Sequence, residues 1–462
     1  MRKYTPNRRS LYSPSLTLAI GLLLPLLTTA DTNTPTTASK VEIISTDGLY
    51  SLSVNGQPFN VKGVGMGFAR ARDIDSLVAA GGNAFRTWET DRLDEQLATA
   101  VASELMVLVG LDVKKELQGF DYNDAAAVAR QFNKVTATVD KYKNHPNVLG
   151  WIIVNEPNLM IGSDGQAAPV NAKVYNAIGD IVEYIHKHDS NHPATIAFAF
   201  TASLAEDIKT ALARAPALDF ISLQAYGALP AIPDVIQQLS LDRPFMVTEY
   251  GPLGHWEMPS TDWGREIEEP SGVKATGMVE RMQGTLLNDA SGKLIGSFAF
   301  LWGQKQERTP TWYGMFVASG ERTAMVDELT RIWTGEYPEN RVPSAWRITL
   351  DNKQPTDSIR LTPGQQVTVR VDVDDPENDP LDVRWQLMTE VVTRSQGGHI
   401  ELEPASVPLT FEPTEHGKGY VSTKTIAPDE PGEYRLFAYA TDNQGGVATA
   451  NIPFLLEAVM DW

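Results

Sequence analysis

Eight short apolar runs recur between residues 59 and 302, and a longer stretch of helical character follows each. They are FNVKGVG (59–65), NAFRTW (83–88), LMVLVGL (105–111), VLGWIIVN (148–155), ATIAFAF (194–200), DFISLQAY (219–226), PFMVTEY (244–250) and LIGSFAFLW (294–302). Most are apolar throughout rather than alternating, as in strands buried on both faces. The intervals carry the other period. In 171–188, Val174, Ile178, Ile181, Val182 and Ile185 fall on one helical face, with charged residues elsewhere. Residues 124–143 and 272–290 are similar, and 323–333 close the series. Eight β-then-α units predict a (β/α)8 TIM barrel over 41–335, near that fold's usual ~250 residues. A doubly wound sheet rarely lines up eight strands in such even succession.

The flanks read differently. After Trp333 comes a Pro-bearing polar linker at 336–344, and 345–462 then reads as short strands separated by DDPENDP- and DNQGG-type turns. That pattern predicts an immunoglobulin-like β-sandwich. The polar linker predicts that a chain ending near Thr334 folds without it. At the other end, Arg2, Lys3, Arg8 and Arg9 precede the apolar run LTLAIGLLLPLL and a small-residue cleavage site before Asp31. This predicts a signal peptide over 1–30 and a flexible lead-in over 31–40. The product is then expected to be exported, to periplasm or medium, with no stable membrane span after cleavage. An uncleaved anchor is the alternative, although the run is short of the ~20 residues a span needs.

Composition removes whole classes of chemistry. Cysteine is absent, which excludes disulfides, thiolate metal sites and a cysteine nucleophile. Lys+Arg number 39 against Asp+Glu 58, and a net charge of −19 argues against a nucleic-acid partner. The seven histidines form no metal-binding motif, so no metal and no cofactor are expected. The acidic run Asp372, Asp374, Asp375, Glu377 and Asp379 is either a solvated hairpin turn or a calcium site.

In a (β/α)8 barrel, functional groups lie at the C-terminal ends of strands. Those ends carry Arg86-Thr87-Trp88, Asn155-Glu156-Pro157, Gln224-Ala225-Tyr226, Thr248-Glu249-Tyr250 and Trp302. Two glutamates on different strands at one mouth suit glycosidic bond cleavage, which needs one proton donor and one ionised carboxylate. Arg86 and Tyr226 are placed to hold one carboxylate ionised. Asn155 is a candidate for a sugar hydroxyl. Trp88, Tyr226, Trp256 and Trp302 are candidate platforms for sugar faces. Trp263, Trp312 and Tyr313 lie in the loops around them. Asp112, after the third strand, reads as a solvated loop acid.

WIIVNEPN followed by VTEYG resembles clan A of the glycoside hydrolases, the 4/7 superfamily. FNVKGVG, NAFRTW, DFISLQAYG and FAFLWG resemble further strands of its family 2 and family 5 barrels, over residues 41–335. The resemblance implies that Glu156 is the acid/base and Glu249 the nucleophile of a retaining mechanism. Together with the N-terminal segment, which predicts export, it implies an exported β-glycosidase or transglycosylase acting on a β-linked polysaccharide or oligosaccharide. An inactive barrel that binds envelope or extracellular polysaccharide is the alternative. Two positions depart from the family pattern. Gln224 stands where Asn or His is common, and GVGMGF lacks a histidine often found after strand 1.

Overall fold

The computed structural model describes residues 37–67, 71–162, 166–395, 398 and 400–458. The expected signal peptide and residues 31–36 of the lead-in lie outside them. Residues 37–40 are anchored rather than flexible. Ser39 is fully buried, donates to the Val148 carbonyl at 2.7 Å and lies 2.9 Å from His192 Nε2.

Two tight turns open the fold. Asp47-Gly48 and Asn55-Gly56 have φ of 52°, 82°, 52° and 77°. Two successive positive φ values give the hairpin turn whose twist matches its strands. The turns join β1 (Val41–Thr46), β2 (Leu49–Val54) and β3 (Gln57–Phe59) into an antiparallel sheet. Its edges bond the residues that enter barrel strands. Val41 N donates to Asn191 O at 2.8 Å and Tyr50 N to Gly292 O at 2.7 Å. The small sheet therefore seals the N-terminal end of the barrel.

Each of the eight apolar runs forms a barrel strand. They are β4 (Gly63–Gly65), β5 (Ala84–Arg86), β6 (Met106–Gly110), β7 (Val148–Asn155), β8 (Ala194–Ala199), β9 (Ile221–Gln224), β10 (Phe245–Tyr250) and β11 (Leu294–Ala299). The barrel closes in the order β10-β11-β4-β5-β6-β7-β8-β9, with every neighbouring pair parallel. Leu108, Leu149, Ile152, Phe220, Met246 and Phe298 fill the interior, with Val41 and Leu52 reaching in from the sealing sheet. Gly63 is small by necessity, because a Cβ there would lie 2.4 Å from the Phe298 ring.

The helices are α1 (Ala71–Ala79), α2 (Leu93–Ala102), α3 (Ala125–Tyr142), α4 (Lys173–His188), α5 (Leu204–Arg214), α6 (Ile232–Leu239), α7 (Ser271–Met282) and α8 (Ala324–Thr334). Their apolar stripes form the outer core. Val174, Ile178, Ile181, Val182 and Ile185 of α4 are all buried, as their spacing predicts. Asp124 caps α3, accepting from the Ala126 and Ala127 amides at 2.9 and 3.0 Å. The helix expected over 272–290 is shorter. It ends at Met282, and a π turn over Gln283–Leu287 follows, from which Thr285 donates to the Leu229 carbonyl at 3.0 Å.

Residues beyond α8 form a β-sandwich. One sheet runs β12 (Ser344–Leu350), β14 (Gln366–Asp374), β18 (Tyr420–Ile426), β17 (Glu415–Gly417). The other runs β13 (Arg360–Leu361), β20 (Val447–Leu456), β19 (Gly432–Thr441), β15 (Asp382–Thr389), β16 (Ser406–Val407). Alternation is clear in β14, where Val367, Val369, Val371 and Val373 turn inward.

The seam between barrel and sandwich is buried and polar. Glu268, 3% exposed, accepts from Lys274 at 2.5 Å, Thr311 at 2.8 Å and Asn451 of β20 at 2.5 Å. Burial alone would raise its carboxyl, but the Lys274 ammonium and the Thr309 hydroxyl together hold it below the ordinary value. Ser271 Oγ accepts from the Thr449 amide at 3.0 Å, and Arg435 donates to the Glu266 carbonyl at 2.8 Å. The linker's polarity is therefore set against a buried seam that binds the barrel to the sandwich. A chain ending at Thr334 would expose these groups and leave Glu268 without Asn451, and each orphaned buried partner costs about 1–3 kcal/mol. We predict that this truncation loses its soluble, cooperatively melting form. Soluble yield and thermal denaturation by circular dichroism check it, and a folded, soluble barrel would show the seam to be dispensable.

Candidate active site

Glu249 is the fifth residue of β10, with a side chain 7% exposed. Four donors converge on it. Oε1 accepts from Arg86 Nη1 at 3.1 Å, Trp88 Nε1 at 2.8 Å and Gln224 Nε2 at 2.9 Å. Oε2 accepts from the Tyr226 hydroxyl at 2.9 Å. The donors come from the ends of β5 and β9 or the residues just after them, so barrel closure itself assembles the cluster.

Arg86 is fully buried and ties the strands together. Besides Glu249 it donates to Asn155 Oδ1 at 2.9 Å and to the Thr248 carbonyl at 3.3 Å. Its guanidinium lies 4.8 Å from the centre of the Trp88 ring. Gln224 Nε2 also donates to Asn155 Oδ1, at 2.6 Å. The ends of β5, β7, β9 and β10 thus share one hydrogen-bonded group.

The electrostatics of Glu249 pull in two directions. Burial raises its carboxyl, Arg86 lowers it, the nearby Glu156 raises it, and Trp88 and Tyr226 lower it; the net direction is upward. Burial and the Glu249 charge push the Tyr226 hydroxyl well above its ordinary value, so it stays a donor. All four partners therefore present fixed protons, which suits an acceptor-only carboxylate.

Glu156 directly follows β7. Its φ is 51°, the left-handed region that non-glycine residues rarely adopt. Pairing between β7 and β8 slips between Ile152 and Asn155, and Glu156 N then donates to Ala197 O at 2.6 Å. Asn158 clamps the turn, accepting from the Ala199 amide at 2.9 Å and donating to its carbonyl at 3.0 Å. The Glu156 side chain is 16% exposed and meets the Lys115 ammonium at 3.4 Å.

Aromatic rings wall the Glu249 side. Trp88 and Tyr226 pack edge-on against Phe300, with centroids 5.6 and 6.0 Å apart. Trp256, 61% exposed, stands edge-on to Tyr226 at 5.6 Å. Trp312 and Tyr313 are buried behind them. Trp302 does not join this wall, and its place as a sugar platform is corrected. It is 1% exposed and packs on Phe316, and its indole donates to the Asp73 carbonyl and Ser76 Oγ of α1, both at 3.0 Å. Its N–H is satisfied only by turning away from the mouth. Trp263 lies under Arg360 of the sandwich, 5.6 Å from the guanidinium, rather than in the cleft.

The structure therefore brings together Glu156, Glu249, Arg86, Trp88, Asn155, Tyr226 and Trp256, and leaves Trp302 out. It adds three residues that strand-end reading passed over as site residues. Gln224 was visible only as a departure from a family pattern. Lys115 carried one signal, a Lys-Lys pair after the third strand. Phe300 sits where Trp302 was expected. Asp112 is a loop acid paired with Lys114 and Lys134. Among the described residues, no group of three or more His, Asp or Glu is placed to hold a metal ion. In the acidic run, Asp372 is paired with Arg347 and Arg370, and Glu377 with Arg341.

No protein-family model matches the chain, and neither does any curated protein sequence. Solved structures do match. The β-D-glucuronidase of Dictyoglomus thermophilum superposes with a TM-score of 0.50 at 17% identity, over 65% of this chain and 54% of that one. The two share the fold of a closed eight-stranded parallel barrel. The β-glucuronidase of Ruminococcus gnavus gives 0.48 at 18% identity, over 64% and 53% of the two chains. That of Bacteroides uniformis gives 0.47 at 14% identity, over 91% and 48%. The chain thus spans about half the length of the β-glucuronidases it matches. Among the described residues, no helix is long and apolar enough to cross a membrane.

The raised Glu249 carboxyl is open to direct titration. In the full chain carrying 13C-carboxyl glutamate, its midpoint should lie above the ordinary ~4.3. Tyr226→Phe removes a donor that favours the ionised form, so the midpoint should rise further. A midpoint below the ordinary value, or one lowered by Tyr226→Phe, would overturn this account.

Proposed function

We propose that the chain is an exported retaining β-glycosidase or transglycosylase acting on a β-linked glycan. The observation that carries this reading is the pairing of Glu249, held by four fixed donors, with Glu156 at the same barrel mouth. In this reading Glu249 attacks the anomeric carbon and forms a covalent glycosyl-enzyme. Glu156 protonates the leaving oxygen and then takes a proton from the incoming water or sugar hydroxyl. Asn155 Oδ1 is already filled by Arg86 and Gln224. Its Nδ2 is left to donate to the hydroxyl beside the anomeric carbon. Trp88 and the exposed Trp256 offer apolar ring faces to the sugar on the Glu249 side. Export is proposed from the basic and apolar N-terminal segment.

Azide separates the two roles. Glu249→Ala opens the face opposite the leaving group, so azide should attack there and give an α-glycosyl azide from an activated aryl β-glycoside. Glu156→Ala keeps the nucleophile, and azide should capture the intermediate from the other face as a β-glycosyl azide. Glu156→Ala should also lose less on activated than on natural substrates, which need the ~10²–10⁴-fold help of a general acid. NMR of the azide products reads the outcome. Exchanged stereochemistry would exchange the roles. Glycan binding by the wild-type chain without any product would instead support the inactive barrel.

A further inference from the structure

One charged group at the barrel mouth is buried but barely partnered. Lys115 lies in the loop after β6 with its side chain 5% exposed. An ammonium has three donors to place. Among the described residues, its one hydrogen-bond partner is Glu156 Oε2 at 3.4 Å. A charge-assisted bond normally closes to about 2.7–2.9 Å. Two other cations of the barrel's C-terminal end are better served. Arg86 bonds Glu249, Asn155 and the Thr248 carbonyl, and Lys305 meets Glu307 at 2.5 Å. A buried cation with spare donors is costly to maintain unless a ligand completes it.

Topology says which part of a ligand that would be. Going round the barrel, β6 lies four strands from β10 in either direction, through β11, β4 and β5 or through β9, β8 and β7. The loop bearing Lys115 therefore starts directly across the mouth from Glu249, and Glu156, directly after the adjacent β7, is its neighbour. A sugar carbon held between the two glutamates has Lys115 on the Glu156 side, opposite Glu249. That is the leaving-group side, because Glu156 hands its proton to the departing oxygen. The two halves of the cleft also differ in chemistry. Trp88, Tyr226 and Phe300 flank Glu249, whereas the Glu156 side presents an incompletely neutralised ammonium.

We propose that Lys115 is the anion contact of a leaving-group subsite, and that the substrate is an acidic β-glycan with a carboxylate-bearing sugar on that side of the scissile bond. The proposal rests on Glu156 being the acid/base. A neutral hydroxyl could fill one donor, but once Glu156 carries the proton it is to donate, only an anion on the substrate also balances the Lys115 charge, and bonds between ionised partners are roughly twice as strong as neutral ones. Lys115 is thus a specificity residue, with no covalent part in the reaction.

The test uses the full chain and aryl β-glycosides of glucose, galactose, mannose and glucuronic acid. Whichever sugar is cleaved is prepared with two leaving groups of similar acidity, phenol and 3-carboxyphenol. The carboxyphenyl glycoside should show a lower KM and a kcat/KM roughly tenfold higher, the scale of one hydrogen bond to a charged group. Lys115→Met should bring that ratio to about one, and Lys115→Arg should keep most of it. Circular dichroism confirms that both variants fold, and the wild-type ratio stands even if Lys115→Met does not. Equal rates on the two glycosides in the wild type, or a preference that survives Lys115→Met, would overturn the subsite and leave the glycosidase reading intact. Cleavage of no glycoside in the panel would remove both.

Discussion

The contact between Arg86 and Glu249 is the constraint around which the mouth of this barrel is organised. Both side chains are almost wholly removed from water, and an unpaired charge of either sign there would be severely destabilising. The guanidinium is planar and carries five donors, so one residue can satisfy Glu249, Asn155 and the Thr248 carbonyl together. Lysine in its place could not span the ends of three strands. Glu249 remains buried as an acceptor because the barrel delivers donors from both neighbouring directions around the ring.

That pairing needs a barrel that does not breathe. Its interior is filled by Leu108, Ile152, Phe220, Met246 and Phe298, and the far end is sealed by a three-stranded sheet bonded to the strand entrances. On the outside, the sandwich holds the long loop after β10 through Glu266, Glu268 and Ser271. The same loop carries Trp256 to the rim beside Tyr226. The sandwich is therefore mechanically continuous with one wall of the cleft. Loops at a barrel mouth are otherwise the least constrained part of the fold.

The strands and most helices were legible because their signals are local. An unbroken apolar run marks a strand covered on both faces, and a 3.6-residue period marks a one-sided helix; neither requires knowing the neighbours. The two glutamates were legible for a related reason, since a polar residue ending an apolar strand has one place to go in a closed barrel. What sequence could not show were relations between distant residues. Trp302 ends a strand run, but which way its ring turns depends on Asp73 and Ser76 of α1. Glu268 sits in GREIEEP, which reads as a solvated acidic loop, yet Asn451 and Lys274 bury it. Lys115 looks like any loop lysine until β6 and β7 are side by side.

The difference between the two glutamates follows from how many fixed donors each one meets. Glu249 faces four, none of which can accept a proton back, so these hydrogen bonds favour the carboxylate against the burial that raises its carboxyl. Glu156 is more open and, among the described residues, its side chain has a single long contact. The proposed roles ask for such a difference, since a nucleophile should hold one form until it bonds to carbon, whereas an acid/base must change form twice in each turnover. A second carboxylate wired like Glu249 could not do that. Its own backbone turn, in the left-handed region directly after β7, lifts Glu156 out of the donor network that captures Asn155 one residue earlier. One peptide unit thus separates a residue locked into the network from one that stands outside it.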